Sequence, residues 1–282
     1  MKPVVLCVHQ IGKVGSTSVV NALQRRFPER TVHQTHALSE TGVLNGMAWW
    51  LGQPGAPRCK LPDHLSASME LRRRFAGDFS TARWFLLCLV RDPLRRDISA
   101  FFQNLHVHWI HRLPERTRAI CRHILDGERS DGAVDDGDLD EVVKNLVALF
   151  IDEYPVNLFD QWFDREMRDV FGIDVFAHPF SEERGFEIYG RDSARALLMR
   201  LEDVSRAFIP ATDAWLSGSG LETETGGPLQ LEPERANDGD AKNYAVLYRR
   251  FAGKISAEPA ALALSAGSRV ARHFYPTRKA ES

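Results

Sequence analysis

Long apolar runs are missing from this 282-residue chain. No stretch approaches the ~18 apolar residues that a membrane span requires, and the run Val4 to Val8 is too short for the core of a signal peptide. A large charge of one sign is missing too. With 36 basic and 38 acidic residues the formal net charge is -2, which argues against nucleic-acid or membrane-surface binding driven by bulk electrostatics. Cysteine is scarce: Cys7, Cys59, Cys88 and Cys121 stand far apart and form no CxxC pair, so a reducing compartment fits. No HxxxH pair or other metal-ligating set is present, and no internal repeat is visible. The expectation is a soluble, cytoplasmic chain that needs no metal.

What is present is ordinary globular composition, 44% hydrophobic and 26% charged. A chain of this length buries roughly 75% of its unfolded surface, so it holds a core without disulfides. At about 150 residues per domain it is one large domain or two modest ones, and a single α/β domain over residues 1–282 is the simpler expectation. Two strand-turn-helix units carry that reading. In the first, the apolar run from Val4 leads through Gly12-Lys13-Val14-Gly15 into a helix with Val19, Val20, Leu23 and Phe27 at helical spacing, stopped by Pro28. Residues Thr31 to Thr35 then read as a second strand. The second unit is the run Trp84 to Val90, expected as a central parallel strand, followed by Arg91-Asp92-Pro93 and a helix with Ile98, Phe101, Phe102 and Leu105 on one face.

Further along, helices are expected at 65–75, around Leu139 to Phe150, at 156–169, and at Tyr244 to Phe251 and Pro259 to Ala266. Short strands are expected at Phe171 to Phe176 and Ala196 to Leu201. The acidic segment 126–138 and the Gly/Ser/Thr-rich segment Ser217 to Pro228 read as surface loops. The acidic segment lacks full EF-hand ligand spacing, so solvation is the expectation rather than calcium.

A glycine-bearing turn between a buried strand and a helix is where backbone N–H groups and the helix dipole converge on an anion. Here it reads Gly12-Lys13-Val14-Gly15-Ser16-Thr17-Ser18. It lacks the Gly-Lys-Ser/Thr ending of a nucleoside-triphosphate loop. At the end of the other strand, Arg91 and Ser99, eight residues apart, could grip one anion between them. The bland readings are an incidental turn for the first segment and a capping Asp92 or Asp97 for the second.

Together the two segments resemble the sulfotransferase superfamily, whose members use 3′-phosphoadenosine-5′-phosphosulfate (PAPS). Lys13 to Ser18 is similar to the loop that holds the 5′-phosphosulfate in carbohydrate sulfotransferases, and Arg91-Asp92-Pro93-x-x-Arg96-x-x-Ser99 to their 3′-phosphate site. A fainter likeness, Gly239-Asp240-Ala241-Lys242-Asn243, resembles the G-D-W-K-N element with Ala241 in place of tryptophan. The helix with Trp162-Phe163-Asp164-x-Glu166, the segment Phe171 to Phe176 and the strand end Leu198 to Asp203 are similar to a bacterial family named for capsular polysaccharide synthesis. The resemblance implies a P-loop-like, sulfotransferase-type α/β fold with a parallel sheet and helical insertions. It also implies PAPS as sulfuryl donor (product PAP), a carbohydrate hydroxyl as acceptor, and no metal.

On that reading Lys13 stabilises charge on the leaving phosphate oxygen. The N–H groups and hydroxyls of Val14, Gly15, Ser16, Thr17 and Ser18 cradle the 5′-phosphate, and Arg91, Ser99 and Lys242 complete the nucleotide contacts. The acceptor needs a base near the C-terminal edge of the sheet. His36, directly after the second strand and within an H-x-L-like segment His36-Ala37-Leu38, is the first candidate. Its rivals are His9, His64, His106, His108 and Glu40, with a sugar contact as the other reading of His106 and His108. The other functional readings are a kinase-like P-loop phosphotransferase and a non-catalytic nucleotide-binding component of polysaccharide assembly.

Overall fold

The computed structural model of the protein describes residues 2–53, 60–126, 135–156, 158–191, 193–221, 226–227, 229–231 and 245–276. These form two compact units. The first gathers Met1–Arg91, Phe159–Glu234 and Arg272–Ser282, the second Asp92–Leu158 and Arg235–Ala271.

The first unit is built on a five-stranded sheet of order β2-β1-β3-β5-β4. Strand β1 (Val4–His9) is followed by α1 (Ser16–Arg26), β2 (Val32–Thr35), α2 (Glu40–Leu51), α3 (Asp63–Arg74) and β3 (Arg83–Val90). The continuous apolar runs explain the placement of β1 and β3, because a strand covered on both faces needs no polar alternation. From Trp84 to Val90 no residue exposes more than 3% of its surface, and β3 is the central strand. Helix α1 turns Val19, Ala22 and Leu23 inward, and its last turn carries Arg25 and Arg26, which suits the negative end of the helix dipole.

Strands β1, β2, β3 and β5 (Ala194–Arg200) are parallel to their neighbours, whereas β4 (Phe186–Arg191) runs antiparallel to β5 at the sheet edge. The expected parallel sheet is thus mostly parallel, with β4 the exception. Only two residues separate β4 from β5, too few for the crossover a parallel pair requires. The expected strand at Phe171 to Phe176 is also corrected. A helical run comprises α7 (Leu158–Phe163), a π-helical turn (Asp164–Arg168) and α8 (Asp169–Phe171). It ends at Gly172 in a left-handed conformation (φ 68°) and passes into a turn in which Asp174 Oδ1 accepts from Phe176 N. Ile173 and Val175 are buried, which gives strand-like alternation, but among the described residues the segment pairs with no strand. Helix α9 (Val204–Leu216) returns after β5.

The second unit is helical: α4 (Pro93–Gln103), a π-helical turn (Leu105–Trp109), α5 (Glu115–Asp126), α6 (Asp136–Glu153), α10 (Ala245–Ser256) and α11 (Pro259–Gly267). The first three residues of α12 (Arg269–Phe274) belong to it and the last three to the first unit. Phe101 sits amid Phe102, Phe150, Tyr154 and Phe251, with ring centroids 5.4 to 5.9 Å away. Burying each such ring contributes roughly 1.5–3 kcal/mol. Of the acidic segment expected as a loop, residues 127–134 lie outside the described residues, and Asp136 to Asp138 already belong to α6. In the other expected loop, 222–225 and 228 lie outside the described residues.

Among the described residues no helix is long and apolar enough to cross a membrane. Cys7, Cys88 and Cys121 are buried free thiols. Burial pushes the Cys7 and Cys121 thiols up to about 12, so neither is a nucleophile at neutral pH.

Candidate functional site

Strand β1 has β2 on one side and β3 on the other. The connections leaving β1 and β3 therefore part at a topological switch point, the crevice where open α/β sheets bind ligands. Residues 10–15 and Arg91 emerge at that edge. Gln10 spans it: its backbone N–H donates to Thr35 O at 3.1 Å, and its side-chain Oε1 accepts from Leu89 N at 3.2 Å. The glutamine continues, with its side chain, the ladder that β1 itself stops making.

The turn after Gln10 has two left-handed residues, Lys13 (φ 73°) and Gly15 (φ 76°). Glycine adopts that conformation readily, but for lysine it costs about 1–2 kcal/mol. The Arg91 guanidinium braces it there, donating to the Lys13 carbonyl at 3.3 Å, and the next residue, Val14, is fully buried. Gly15 occupies the N-cap of α1; among the described residues no side chain caps that helix, and its first turn holds no acidic residue. The opening N–H groups of an 11-residue helix are thus presented together with the hydroxyls of Ser16, exposed Thr17 and half-buried Ser18. Gln34 Nε2 fixes Ser16 by donating to its Oγ at 2.6 Å. These groups fit an anion such as a phosphate.

His36 lies just past β2, on the same edge. Its Nδ1 is 2.8 Å from the Gln10 carbonyl oxygen. A carbonyl can only accept, so Nδ1 carries a proton and donates it there. The His36 Nε2 faces the anion loop: a Cβ built on Gly12 would stand 3.9 Å from it. The His64 ring packs against His36 with centroids 4.2 Å apart. Burial, then the neighbouring His36, pushes His64 down to about 4.

The other sequence candidates are placed as follows. Arg91 closes the first unit, while Ser99 is on α4 in the second. Lys242, with the rest of its Gly-Asp-Ala-Lys-Asn segment, lies outside the described residues. His9 is wholly buried, its Nδ1 2.8 Å from Thr35 Oγ1, and a ring with no accessible surface cannot meet an acceptor hydroxyl. Burial, partly offset by Glu166, pushes it down to about 4. Glu40 opens α2 with its carboxylate in solvent, 3.8 Å from Arg72. His106 and His108 belong to the π-helical turn of the second unit. Among the described residues no group of three or more His, Cys, Asp or Glu could hold a metal ion.

A buried carboxylate beside His36 had no assigned role in the sequence reading. Glu166, fully enclosed, accepts from Leu38 N (2.6 Å), Ser39 N (2.8 Å) and Ser39 Oγ (2.6 Å), and pairs with Arg165 Nε at 2.8 Å. Burial would raise its pKa, but His9 and the hydrogen bonds from Ser39 and Leu38 outweigh that and hold it below the usual carboxylate value. One turn earlier, Trp162 Nε1 donates to the His36 carbonyl at 2.7 Å.

Residues 136–275 match the model of a family described as "Putative capsular polysaccharide synthesis protein" (NKWYS). The matched stretch includes Trp162 and Glu166; the anion loop, His36 and Arg91 lie before it. Comparison with curated proteins and with solved structures finds no match.

Proposed function

We propose that the protein transfers a sulfuryl group from PAPS to a hydroxyl of a carbohydrate, within capsular polysaccharide synthesis. The observation that carries the reading is Lys13 held in a left-handed turn directly before an uncapped helix N-terminus. Backbone strain kept at a non-glycine residue is a mark of functional sites. The family match over residues 136–275 supports the polysaccharide context.

PAPS supplies an activated sulfuryl group on a phosphosulfate anhydride. In the transfer the S–O bond to the phosphate breaks and a bond forms to the acceptor oxygen, whose proton leaves to the base. Lys13 places its ammonium where negative charge grows on the leaving phosphate oxygen. The N–H groups and hydroxyls from Gly15 to Ser18 hold the 5′-phosphate, and Arg91 takes the 3′-phosphate while bracing the Lys13 carbonyl. His36, with Nδ1–H donated to Gln10, turns Nε2 outward to take the acceptor proton. A phosphotransferase of the nucleoside-triphosphate type is disfavoured because no lysine follows Gly15.

The reading is tested by incubating the purified protein with sulfate-labelled PAPS and capsular oligosaccharides. Label appearing in the saccharide supports it. Retention of all label in PAPS with every saccharide offered contradicts it.

A further inference from the structure

The segment that carries His36 leaves the sheet at Thr35, and residues 36–39 therefore have no ladder to satisfy their backbone groups. Burying such groups unpaired costs about 1–3 kcal/mol each, so their partners define how the segment is held. The His36 carbonyl accepts from Trp162, the Leu38 N–H and the Ser39 N–H donate to Glu166, and the Leu38 carbonyl accepts from Arg72 at 2.7 Å. Two of the three partners come from one helical run more than 120 residues away. Trp162 and Glu166 are four residues apart and so share a helix face, and the π-helical turn that begins at Asp164 carries Glu166. Such turns recur at functional sites.

We infer that Glu166 and Trp162 are positioning residues, which hold the 36–39 segment so that His36 keeps its Nδ1 on the Gln10 carbonyl and its Nε2 toward the anion loop. The inference rests on the proposed role of His36 for its catalytic consequence, but its structural content stands apart from that role. Trp162 fixes the carbonyl of His36 itself. Glu166 fixes the N–H groups of Leu38 and Ser39 and, through Ser39 Oγ, the start of α2, where Ser39 Oγ also accepts from Gly42 N at 3.0 Å. Gly42 is part of the same arrangement, since a Cβ there would overlap Glu166 Oε1. Without the carboxylate and the indole, the His36 backbone gains freedom and the ring loses its fixed distance from Gln10.

The experiment compares wild type with Glu166→Gln, which keeps the shape but removes the charge and one acceptor, and Trp162→Phe, which keeps a ring but removes the donor. Two-dimensional proton–nitrogen spectra of the imidazoles report the His36 tautomer directly. Wild type is expected to show one tautomer with the proton on Nδ1, and the variants a mixture. Where turnover is measurable, kcat is expected to fall about 10- to 100-fold while KM for PAPS stays within about twofold. A His36 tautomer unchanged in both folded variants overturns the inference, whatever the activity. A mixed tautomer in the variants supports it even if wild type transfers no sulfuryl group, an outcome that defeats only the role assigned to His36. Should Glu166→Gln not fold, Trp162→Phe alone decides between the two results.

Discussion

The guanidinium of Arg91, at the end of β3, donates to the carbonyl oxygen of Lys13, in the turn after β1, at 3.3 Å. The two strand-turn units read separately in the sequence thus meet at Lys13 and Arg91. The contact braces a lysine in a conformation that costs about 1–2 kcal/mol, and it places a guanidinium at the rim of that turn.

Arg91→Ala is therefore expected to act on nucleotide discrimination. Wild type should bind PAP at least about tenfold more tightly than 5′-AMP, since one charge-assisted contact contributes roughly 1.5–3 kcal/mol. The variant should bind both alike. Calorimetry decides it, and equal affinity of wild type for the two nucleotides removes the 3′-phosphate role of Arg91.

His36→Ala is expected to keep PAP affinity, because the proposed nucleotide contacts lie elsewhere, and to lose about 10²- to 10⁴-fold in turnover. The wild-type rate should rise with pH as a histidine base loses its proton, and the variant should lack that rise. Near-normal turnover of the variant on the acceptor would pass the role to Glu40, the exposed carboxylate four residues on.

Gly42→Ala offers a stability test with an unusual sign. In an exposed helix the change stabilises by up to about 1 kcal/mol. At this position the new Cβ would overlap Glu166 Oε1 and stand 2.7 Å from Ser39 Oγ and 2.8 Å from Ala37 Cβ. A loss of about 1–3 kcal/mol is expected in urea unfolding. A variant as stable as wild type would mean that Glu166 does not hold the segment as described.

Stability should also depend on pH through His9 and His64. Burial, the dominant cause for each, lowers both to about 4 in the folded chain, against about 6.5 when unfolded. The unfolded chain thus binds more protons between about pH 4 and 6.5. Their contribution is complete above that window and is lost as the pH falls through it. Urea midpoints measured from pH 7 down to 5 should decline, and His64→Gln should flatten part of the slope. A midpoint constant over that range contradicts the neutral state of both rings.

Much of this was legible in the chain itself, for identifiable reasons. Strands β1 and β3 are unbroken apolar runs, and Val19 with Leu23 or Ile98 with Phe101 and Leu105 show helical spacing that local turns then confirm. Strand β4 was not legible, because Phe186-Glu-Ile-Tyr-Gly-Arg191 mixes charge and glycine as edge strands do. The 171–176 segment misled because Ile173 and Val175 alternate into a core without a ladder. At the site, Lys13, Gly15 and His36 carry local signals, a glycine turn and a strand end. Glu166 carries none toward His36: its partners are 127 and 128 residues away, and a buried carboxylate in a charged helix looks like any solvated one. The only trace is Trp162 and Glu166 at helical spacing.

The central claim is that Lys13 stabilises the leaving group in sulfuryl transfer, and single-turnover release of label from PAPS to a saccharide acceptor tests it most directly. Wild type is expected to transfer. A folded Lys13→Ala protein is expected to be slower by a factor on the order of 10²–10³, about 3 kcal/mol in the barrier, with its sheet and melting behaviour intact. Equal rates for the two proteins would contradict the assignment of this loop.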